Sequence, residues 1–292
     1  MNKLIKKILC IVCSNELEGY EKNFKCKKCS KKYIFDHGIL MMLSDTSLRD
    51  EQNTYQKRYY EEHYKTEYAN RDFEWRKRWV TRLINFLPKN KNSTILDLAC
   101  GQGYMTLAVA KKGYKVIACD ISVSGLKRAR KEAKKLGIEK NILFIACDIN
   151  TVKFKKNTFD FIIMLHVLEH LINDKQLVKN IIPFASPKAI YYIGVPLSLS
   201  HVFPLCIPLY MYSDRKVGHK RRYTIENILG LFSFRAEPVY TIYTGHLIKF
   251  LGLFLSKIGI NMWERKIEDL DENMLTTKLW ASNITTVITR KN

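Results

Sequence analysis

The chain has 292 residues, with 49 lysines and arginines against 28 aspartates and glutamates, for a formal net charge of +21. That length can hold one full α/β domain and a small accessory unit. We expect neither a secreted nor a membrane-spanning protein, because no secretory signal and no apolar run of about 20 residues is evident. The charge is spread along the sequence, so it permits an anionic partner without identifying one. We expect a cytoplasmic protein, with contact to a membrane surface left open and no indication of oligomeric state.

Residues 1–45 carry a metal-binding pattern of two Cys-x2-Cys pairs, Cys10 with Cys13 and Cys26 with Cys29. Four thiolates at this spacing are a ligand set of structural zinc. A redox Cys-x2-Cys pair would need a βαβ context, which is absent here. All four positions are cysteine and none is left open for water, so we expect a small zinc ribbon with a structural zinc. A module of this size buries little core, so the metal should supply most of its stability.

Residues 46–88 are polar and rich in aromatic side chains, and we interpret them as a helical connector. Trp75, Trp79 and Leu83 recur at helical spacing, which predicts an amphipathic helix that ends before Pro88. Arginines between the tryptophans would also suit base stacking in a nucleic-acid site. We favour an apolar stripe that faces the core, with the arginines solvated behind it.

From residue 89 onward, short apolar runs alternate with stretches of helical periodicity. The runs cover residues 94–98, 115–119, 141–147, 159–165, 189–195, 238–242 and 283–289. Continuous apolar runs of this length indicate strands buried on both faces, as in a parallel sheet. We therefore predict an α/β fold for residues 89–292, a Rossmann-like seven-stranded sheet with helices on both faces. Two insertions, at residues 196–223 and 245–280, interrupt it.

The first apolar run leads into a glycine turn, Asp97-x3-Gly101-x-Gly103, and the second run ends in Asp120. Glycines let the backbone approach a ligand closely, and an acid after the next strand can accept hydrogen bonds from a ribose diol. A dinucleotide site requires a third glycine, but Thr106 stands there, and a carboxylate at position 97 would repel a pyrophosphate. The same carboxylate suits the ammonium group of an amino acid. An ordinary βαβ turn with a chance acid is the remaining alternative.

This pattern, together with the later acids Asp120 and Asp148, resembles motif I and the following strands of class I S-adenosylmethionine-dependent methyltransferases. The resemblance covers about residues 72–290 and implies their fold and their methyl donor, S-adenosylmethionine, as cofactor. The cofactor-binding residues that it implies are Asp97, Gly101, Gly103, Asp120, Ile121, Asp148, Ile149 and His166. In many members the preceding segment forms a lid over the cofactor, which here corresponds to connector tyrosines such as Tyr55 and Tyr64.

The cysteine module resembles the zinc ribbons that precede some methyltransferases, including certain ribosomal RNA guanine methyltransferases. It departs from them at Val12 and Leu40, where such ribbons often have proline. The sequence leaves open whether the ribbon binds substrate or only packs against the catalytic domain.

The fourth apolar run continues into His166-Val-Leu-Glu169-His170, which contains two candidate catalytic residues, His166 and His170. The pattern formally matches an H-x-x-E-H zinc protease, but it begins where a strand ends and the zinc-site cysteines lie elsewhere, so we reject that interpretation. It resembles instead a sequence of methyltransferases that act on quinones and other small molecules. That resemblance implies His166 near the transferred methyl group and makes His170 a candidate general base. A histidine that caps the helix or contacts cofactor backbone is the open alternative.

The first insertion, residues 196–223, is apolar at its start and basic at its end. Its Gly-His-x-Arg-Arg-Tyr-Thr phrase resembles one in methyltransferases of glycan and lipid-conjugate biosynthesis. We take Arg221, Arg222 and Tyr223 as substrate-binding candidates, because arginine can bind a phosphate bidentately. Pairing of Arg222 with an acid of the fold is an equally open alternative.

The second insertion, residues 245–280, contains a predicted apolar helix over residues 246–258 with a narrow polar stripe that includes Lys249, Gly252 and Ser256. Such a helix suits a membrane interface, a dimer contact or the wall of a substrate pocket. We favour packing within the protein.

Two enzymatic functions follow from these features. The first is an S-adenosylmethionine-dependent methyltransferase for a small-molecule, glycan or lipid-linked acceptor. The alternative is an rRNA or tRNA methyltransferase that grips phosphates with its zinc ribbon and basic surface. A cofactor-binding scaffold without catalysis is a third function, which the intact set of donor-site residues makes less favourable.

Overall fold

A computed structural model describes residues 3–20, 23–44, 51–63, 74–249 and 264–291 of the chain. The chain divides into two compact units. Unit 1 comprises Met1–Asn70, Leu87–Ile163 and Gln176–Ile190, and unit 2 comprises Arg71–Phe86, Met164–Lys175 and Tyr191–Asn292. The domain boundaries predicted after residues 45 and 88 stay predictions.

The strands and helices of the described residues are as follows. In chain order, the strands are β1 (Ile8–Leu9), β2 (Leu17–Tyr20), β3 (Asn23–Cys26), β4 (Lys32–Asp36), β5 (Ile39–Met41), β6 (Thr94–Leu98), β7 (Lys115–Asp120), β8 (Ile142–Ala146), β9 (Lys153–Phe154), β10 (Phe159–Leu165), β11 (Ala185–Pro196), β12 (Ala236–Thr244) and β13 (Asn283–Arg290). The α-helices are α1 (Glu51–His63), α2 (Glu74–Ile84), α3 (Tyr104–Lys111), α4 (Val123–Lys135), α5 (Asp174–Ile181), α6 (Ile207–Val217), α7 (Ile225–Leu229) and α8 (Glu264–Asn273). Each of the seven predicted apolar runs coincides with a strand, from β6 to β13 with the short β9 excepted.

The core of unit 1 has the strand order β10-β6-β7-β8, in which β6, β7 and β8 pair in parallel. Every residue of β6 and β8 is buried, which explains why these strands lack an alternation of apolar and polar residues. The parallel register pairs Leu98 with Cys119 and Asp120 with Ala146. Because of this register, the turns that follow β6, β7 and β8 meet at the same edge of the sheet.

The cysteine module continues this sheet. Strand β5 runs parallel to β8, with Ile39 opposite Phe144 and Met41 opposite Ala146, and β4, β3 and β2 add to it in antiparallel fashion. Ile39 and Leu40 are fully buried, so this strand joins the hydrophobic core of unit 1. Backbone hydrogen bonds and apolar side chains therefore fasten the ribbon to the parallel sheet.

Unit 2 contains an antiparallel sheet in which β13 lies between β12 and the last part of β11. Tyr191 pairs with Ile288 and Pro196 with Asn283, while Thr244 on the other side also pairs with Asn283. Helix α7 begins with the capping box that its sequence indicates, in which Thr224 and Asn227 bond each other's backbone N–H groups. In the part of the chain that the structure describes, no helix has the length and apolar content needed to cross a membrane.

Candidate functional site

The four cysteines of the front module converge, as their spacing predicts. Their sulfur atoms all lie within 4.8 Å of one another, with 3.5 Å between Cys10 and Cys29 and 3.3 Å between Cys13 and Cys26. Burial raises the pKa of the Cys26 thiol, but hydrogen bonds from the backbone N–H groups of Cys29 and Lys28 outweigh it and lower that pKa to about 6. This favours the thiolate of Cys26, the form that zinc binds. At Cys29 the backbone hydrogen bond from Lys31 lowers the pKa, but burial and hydrogen bonds with the other thiols outweigh it and raise that pKa to about 12. The donor set and its spacing fit a closed four-thiolate zinc site, whose contribution is to the stability of the fold.

Both Cys-x2-Cys turns close in the same way. Ser14 and Ser30 follow the second cysteine of each pair, and both have a φ of 56°. Their N–H groups donate to the carbonyl oxygens of Cys10 and Cys26 at 2.9 and 3.1 Å. The two halves of the thiol cluster thus repeat one backbone geometry, with serine in a left-handed conformation where glycine is usual.

The turn after β6 passes through three left-handed backbone conformations, with φ values of 54°, 55° and 74° at Ala99, Gly101 and Gly103. Gly103 is the N-cap residue of α3. A Cβ atom added to Gly103 would lie 2.7 Å from the Cβ of Ala129 in α4. The close packing of this turn on α4 therefore requires glycine at position 103, whether or not a ligand is bound.

Asp120, the last residue of β7, links this turn to the start of α4. Its Oδ2 accepts a hydrogen bond from the backbone N–H of Gly101 at 2.6 Å, and its Oδ1 accepts one from Ser122 at 2.7 Å. Burial raises the pKa of Asp120 to about 6, although these two hydrogen bonds oppose the rise. Each oxygen keeps a second lone pair that a ligand hydroxyl can use.

Asp97 lies within β6 and is almost fully buried. Its Oδ2 accepts a hydrogen bond from Thr106 Oγ1 in α3 at 2.5 Å. Burial raises the pKa of Asp97 to about 7, and the negative charge of Asp120 adds to the rise, while the bond from Thr106 opposes it. The carboxyl group is therefore partly protonated at neutral pH, and a cation beside it would convert it to a carboxylate.

Asp148 follows β8, and its Oδ1 accepts hydrogen bonds from the backbone and side-chain N–H groups of Asn150 at 2.9 and 3.1 Å. Ile121 and Ile149, the residues after Asp120 and Asp148, are both half-buried. The edge of the unit 1 sheet thus brings together all the predicted cofactor residues except His166, which belongs to unit 2.

Helix α1 of the connector reaches this edge of unit 1, a contact that the sequence did not predict. Glu61 Oε1 accepts hydrogen bonds from the N–H of Ser124 at 3.2 Å and from Ser122 Oγ at 3.1 Å. A carboxylate at the first turn of α4 is favourable for the helix dipole. Of the tyrosines in the proposed lid, Tyr64 and Tyr68 lie outside the described residues, so the lid stays a prediction.

In unit 2, His166 is held by three contacts. Its backbone has a φ of 54°, and its N–H donates to the carbonyl oxygen of Gly194 at 2.8 Å. Its ring stacks on Trp79 of α2 with 5.3 Å between the ring centroids, and its Nδ1 lies 3.0 Å from Glu169 Oε1. These contacts fix the orientation of an imidazole that is about one-third exposed (32%).

Glu169 has no exposed surface. Burial raises its pKa, but the hydrogen bond with His166 and the charges of neighbouring histidines outweigh it and lower that pKa, which favours the carboxylate. Among the described residues, its Oε2 atom is buried and has no hydrogen-bond partner. The adjacent His170 is also buried, and this burial lowers its pKa to about 4. His170 is therefore a neutral imidazole near pH 7.

Two residues of the first insertion, Asp214 and His219, extend the group formed by His166, Glu169 and His170. The sequence analysis did not predict this grouping. The ring of His219 packs edge-on against that of His170, with centroids 4.7 Å apart, and its Nε2 lies 4.0 Å from Glu169 Oε1. Its Nδ1 lies 2.7 Å from Oδ1 of Asp214. His219 belongs to the Gly-His-x-Arg-Arg-Tyr phrase, and this resemblance was the one sequence feature that could have marked it as a functional residue. Its proximity to Glu169 could not be predicted, because the two residues are far apart along the chain.

The three predicted substrate residues all make contacts within unit 2. Arg221 donates to Asp174 Oδ1 at 2.7 Å, and the buried Tyr223 hydroxyl donates to Asp174 Oδ2 at 2.6 Å. Arg222 forms a two-pronged ion pair with Asp214, at 2.7 and 3.0 Å. These contacts agree with the structural alternative raised for Arg222, and a role in substrate binding stays a prediction.

In the connector helix α2, Leu83 of the predicted apolar stripe is fully buried and Trp79 is half-buried. Two of the arginines that we expected to be solvated, Arg78 and Arg82, instead form ion pairs. Arg78 donates to Asp269 Oδ1 at 2.6 Å and Arg82 Nε to Glu272 Oε1 at 3.1 Å, both acids lying in α8. Arg78 and Arg82 thus bind α8. Residues 250–263, which include most of the predicted apolar helix, lie outside the described residues.

Comparison with known proteins identifies the domain. Residues 89–206 match the family model described as a methyltransferase domain. An uncharacterised RNA methyltransferase of Clostridium tetani is 31% identical over 155 residues, covering 53% of this chain and 31% of that protein. A ubiquinone biosynthesis O-methyltransferase of Rickettsia canadensis is 32% identical over 100 residues, covering 34% of this chain and 41% of that protein. The chain thus spans less than half the length of these curated relatives.

Solved methyltransferases share the fold. The geranyl diphosphate C-methyltransferase of Streptomyces coelicolor, in complex with Mg²⁺, geranyl-S-thiolodiphosphate and S-adenosyl-L-homocysteine, superposes with a TM-score of 0.57 at 12% identity. The match covers 74% of this chain and 76% of that structure. The predicted Rossmann-like methyltransferase fold is confirmed, and residues 89–206 form a methyltransferase domain within it.

Proposed function

From this methyltransferase domain, we infer that the chain transfers a methyl group from S-adenosylmethionine to a small-molecule, glycan or lipid-linked acceptor. The observation that carries the proposal is the parallel register of unit 1, in which Asp97, Asp120 and Asp148 come from three adjacent strands or the turns that follow them. Three carboxyl groups at one edge match the three hydrogen-bonding parts of the donor: its ammonium, its ribose diol and its adenine amine.

In this proposal, each residue acts through a group described above. Asp97 pairs with the ammonium group, which stabilises its carboxylate form. The second lone pairs of Asp120 accept hydrogen bonds from the ribose diol, while Gly101 and Ser122 hold the carboxylate in place. Asp148 accepts from the adenine amine, and the half-buried Ile121 and Ile149 side chains cover the ring.

The chemical step needs a nucleophile in line with the methyl group and a base for any proton that the acceptor loses. The bound donor supplies the electrophilic methyl group on its sulfonium. Of the two candidate bases, we propose that His166 accepts this proton, because Glu169 and Trp79 orient its ring and part of the ring is accessible. His170 has a pKa of about 4, so it is too weak a base near neutral pH.

Exposed apolar side chains in unit 2 support a hydrophobic acceptor. Leu205 is 80% exposed and Tyr212 is 70% exposed, and Leu209 and Met211 between them are also exposed. Soluble domains rarely leave several large apolar side chains exposed within one short segment unless they bind something there. The segment lies in the insertion that the sequence analysis associated with acceptor choice.

RNA is the second candidate acceptor, and a separate observation favours it. Lys28, Lys31 and Lys32 are exposed on the ribbon, and the chain as a whole carries a formal charge of +21. Such a surface attracts phosphates in a salt-dependent manner. One of the relatives described above is named an RNA methyltransferase.

Tritiated S-adenosylmethionine, offered with the purified chain to fractionated cellular RNA and to a membrane-lipid extract, separates these acceptors. We expect label in the lipid or small-molecule fraction. Label in RNA alone would overturn the preferred acceptor and leave the methyltransferase assignment intact. Absence of label from every fraction, together with no rise in melting temperature when S-adenosylmethionine is added, would overturn the enzymatic assignment itself.

A further inference from the structure

We propose that Glu169, His170 and His219 bind a divalent transition-metal ion in unit 2, separate from the thiol cluster of the ribbon. One carboxylate oxygen and one ring nitrogen from each histidine lie within 4.8 Å of one another. Two nitrogen ligands and a carboxylate are a donor set of zinc and of non-haem iron sites. The site is distinct from the cofactor role proposed for unit 1 and goes beyond it.

The buried oxygen of Glu169 is the first observation that points to a ligand. Its carboxylate has no exposed surface, and its Oε2 has no hydrogen-bond partner among the described residues. A buried carboxylate oxygen left without a partner is costly, because it loses hydration and gains nothing in return. A cation at this position would compensate that loss directly.

The environment of His219 is the second observation. Its Nδ1 contacts Asp214 at 2.7 Å, and Arg222 in turn binds the Asp214 carboxylate through two hydrogen bonds. A carboxylate that holds one nitrogen of a histidine orients the other nitrogen toward a metal and raises its basicity. That other nitrogen, Nε2, is directed to within 4.0 Å of Glu169 Oε1, which is too far for a hydrogen bond.

The spacing is compatible with a metal site that closes around its ion. Ligands about 2.0–2.1 Å from a tetrahedral zinc ion stand roughly 3.3 Å apart. The observed limit of 4.8 Å therefore requires the three ligand atoms to approach one another by at most roughly 1.5 Å.

Three protein ligands leave a coordination position open, unlike the four thiols of the ribbon. The ion would therefore take an oxygen donor such as water, a hydroxyl or a carboxylate. His166 shares Glu169 with this site through its Nδ1. The carboxylate of Glu169 would then both bind the metal and orient the proposed base, His166.

Metal analysis of the 292-residue chain tests this site without measuring activity. We expect about two metal equivalents per chain in the wild type, one of them at the cysteines. Glu169→Gln and His219→Gln should each retain about one equivalent, and the control His201→Gln, a histidine of unit 2 outside the cluster, should retain both.

Cobalt substitution assigns the equivalents to their sites. The thiolate-to-cobalt charge-transfer band of the ribbon should persist in all four proteins, which also reports that the ribbon is folded. Additional cobalt ligand-field absorption without thiolate character should be present in the wild type and in His201→Gln and absent from the other two. A wild type that binds only one equivalent, or a second equivalent that survives both Glu169→Gln and His219→Gln, would overturn the proposal.

Discussion

The packing of Gly103 against Ala129 joins the glycine turn to helix α4 so closely that a Cβ on Gly103 would lie 2.7 Å from the Cβ of Ala129. Real Cβ atoms do not approach backbone-fixed carbons this closely, and neither position can move without shifting a helix. The second glycine of the motif is thus a packing requirement of unit 1, in addition to any role toward the methyl donor.

Gly103→Ala should therefore lower the free energy of unfolding by about 2–4 kcal/mol, from the left-handed backbone and from overpacking together. Gly113→Ala is the matched control, because Gly113 has a φ of 91° and a Cβ added there would meet no atom within 4 Å. It should cost only about 1–2 kcal/mol, from the backbone alone. Urea denaturation measures both variants. Equal losses would contradict the packing argument, and Ala129→Gly should partly restore the Gly103→Ala variant.

Asp120→Asn should weaken S-adenosylmethionine binding by about 10- to 100-fold, because an amide replaces a charged acceptor of the ribose hydroxyls. Isothermal titration calorimetry measures the dissociation constant. Asp160→Asn is the control, since Asp160 also accepts a backbone N–H, that of Thr94 at 3.1 Å, within unit 1. It should lose stability without losing affinity. Unchanged affinity in Asp120→Asn would refute the ribose assignment.

Donor binding should release protons in a manner set by Asp97. Its pKa of about 7 in the free protein must fall when an ammonium group binds beside it. Calorimetry in buffers of different ionisation enthalpy should detect release of about half a proton at pH 7, rising toward one at pH 6. In Asp97→Asn this component should vanish. Proton release that is the same in both proteins would rule out Asp97 as the titrating group.

The same pKa gives the sign of a stability effect. A carboxyl group whose folded-state pKa is raised favours its protonated form in the folded state, so it destabilises the fold once it must ionise. Without ligand, the contribution of Asp97 to the free energy of unfolding should therefore decline between about pH 4 and pH 7. Asp97→Asn should flatten that decline in urea titrations across the range, and an unchanged slope would count against the raised pKa.

His166→Gln should lower kcat by about 10²–10⁴ for a hydroxyl acceptor, if His166 is the base that the proposal assigns. The donor's dissociation constant separates this role from a mere contact with cofactor. An unchanged constant with a lowered kcat supports the base, whereas weaker donor binding with an unchanged kcat would reject it.

Removal of zinc with a chelator should unfold the ribbon and leave the parallel strands of unit 1 in place. Hydrogen exchange should accelerate across residues 23–36, while β6 and β7 stay protected. Cys26→Ser should behave like the chelated protein. Cys206→Ser, at a buried cysteine outside the cluster, should retain the zinc and the protection. Fast exchange throughout unit 1 would mean that the metal stabilises the whole sheet.

The features that could be predicted from the sequence are local ones. The Cys-x2-Cys pairs and the turn from Asp97 to Gly103 place their groups through a few adjacent residues, so spacing alone indicates their geometry. The seven apolar runs likewise mark strands, because strands buried on both faces need apolar residues without interruption.

The features that could not be predicted depend on contacts between distant parts of the chain. Nothing in the local sequence joins His219 to Glu169, or the arginines of α2 to the acids of α8. In the sequence, Glu61 is one of many charged residues on a polar helix. Only the structure shows that it accepts a hydrogen bond from Ser124 at the start of α4. The ion pair of Arg222 was predicted only as an alternative. Its partner Asp214 could not be identified, because the turn that ends α6 brings the two residues together.

The pairing of β5 with β8 has a consequence for any attempt to isolate the catalytic domain. Because β5 occupies the outer side of β8, the buried strand Ile142–Ala146 never presents a bare edge to solvent. A truncation that began after residue 44 would uncover that edge, with its backbone hydrogen-bonding groups and its five consecutive apolar residues. Uncovered edges of this kind recruit strands from other molecules. The ribbon should thus prevent self-association through this edge. The shortened chain should aggregate even when its remaining parallel strands are correctly folded.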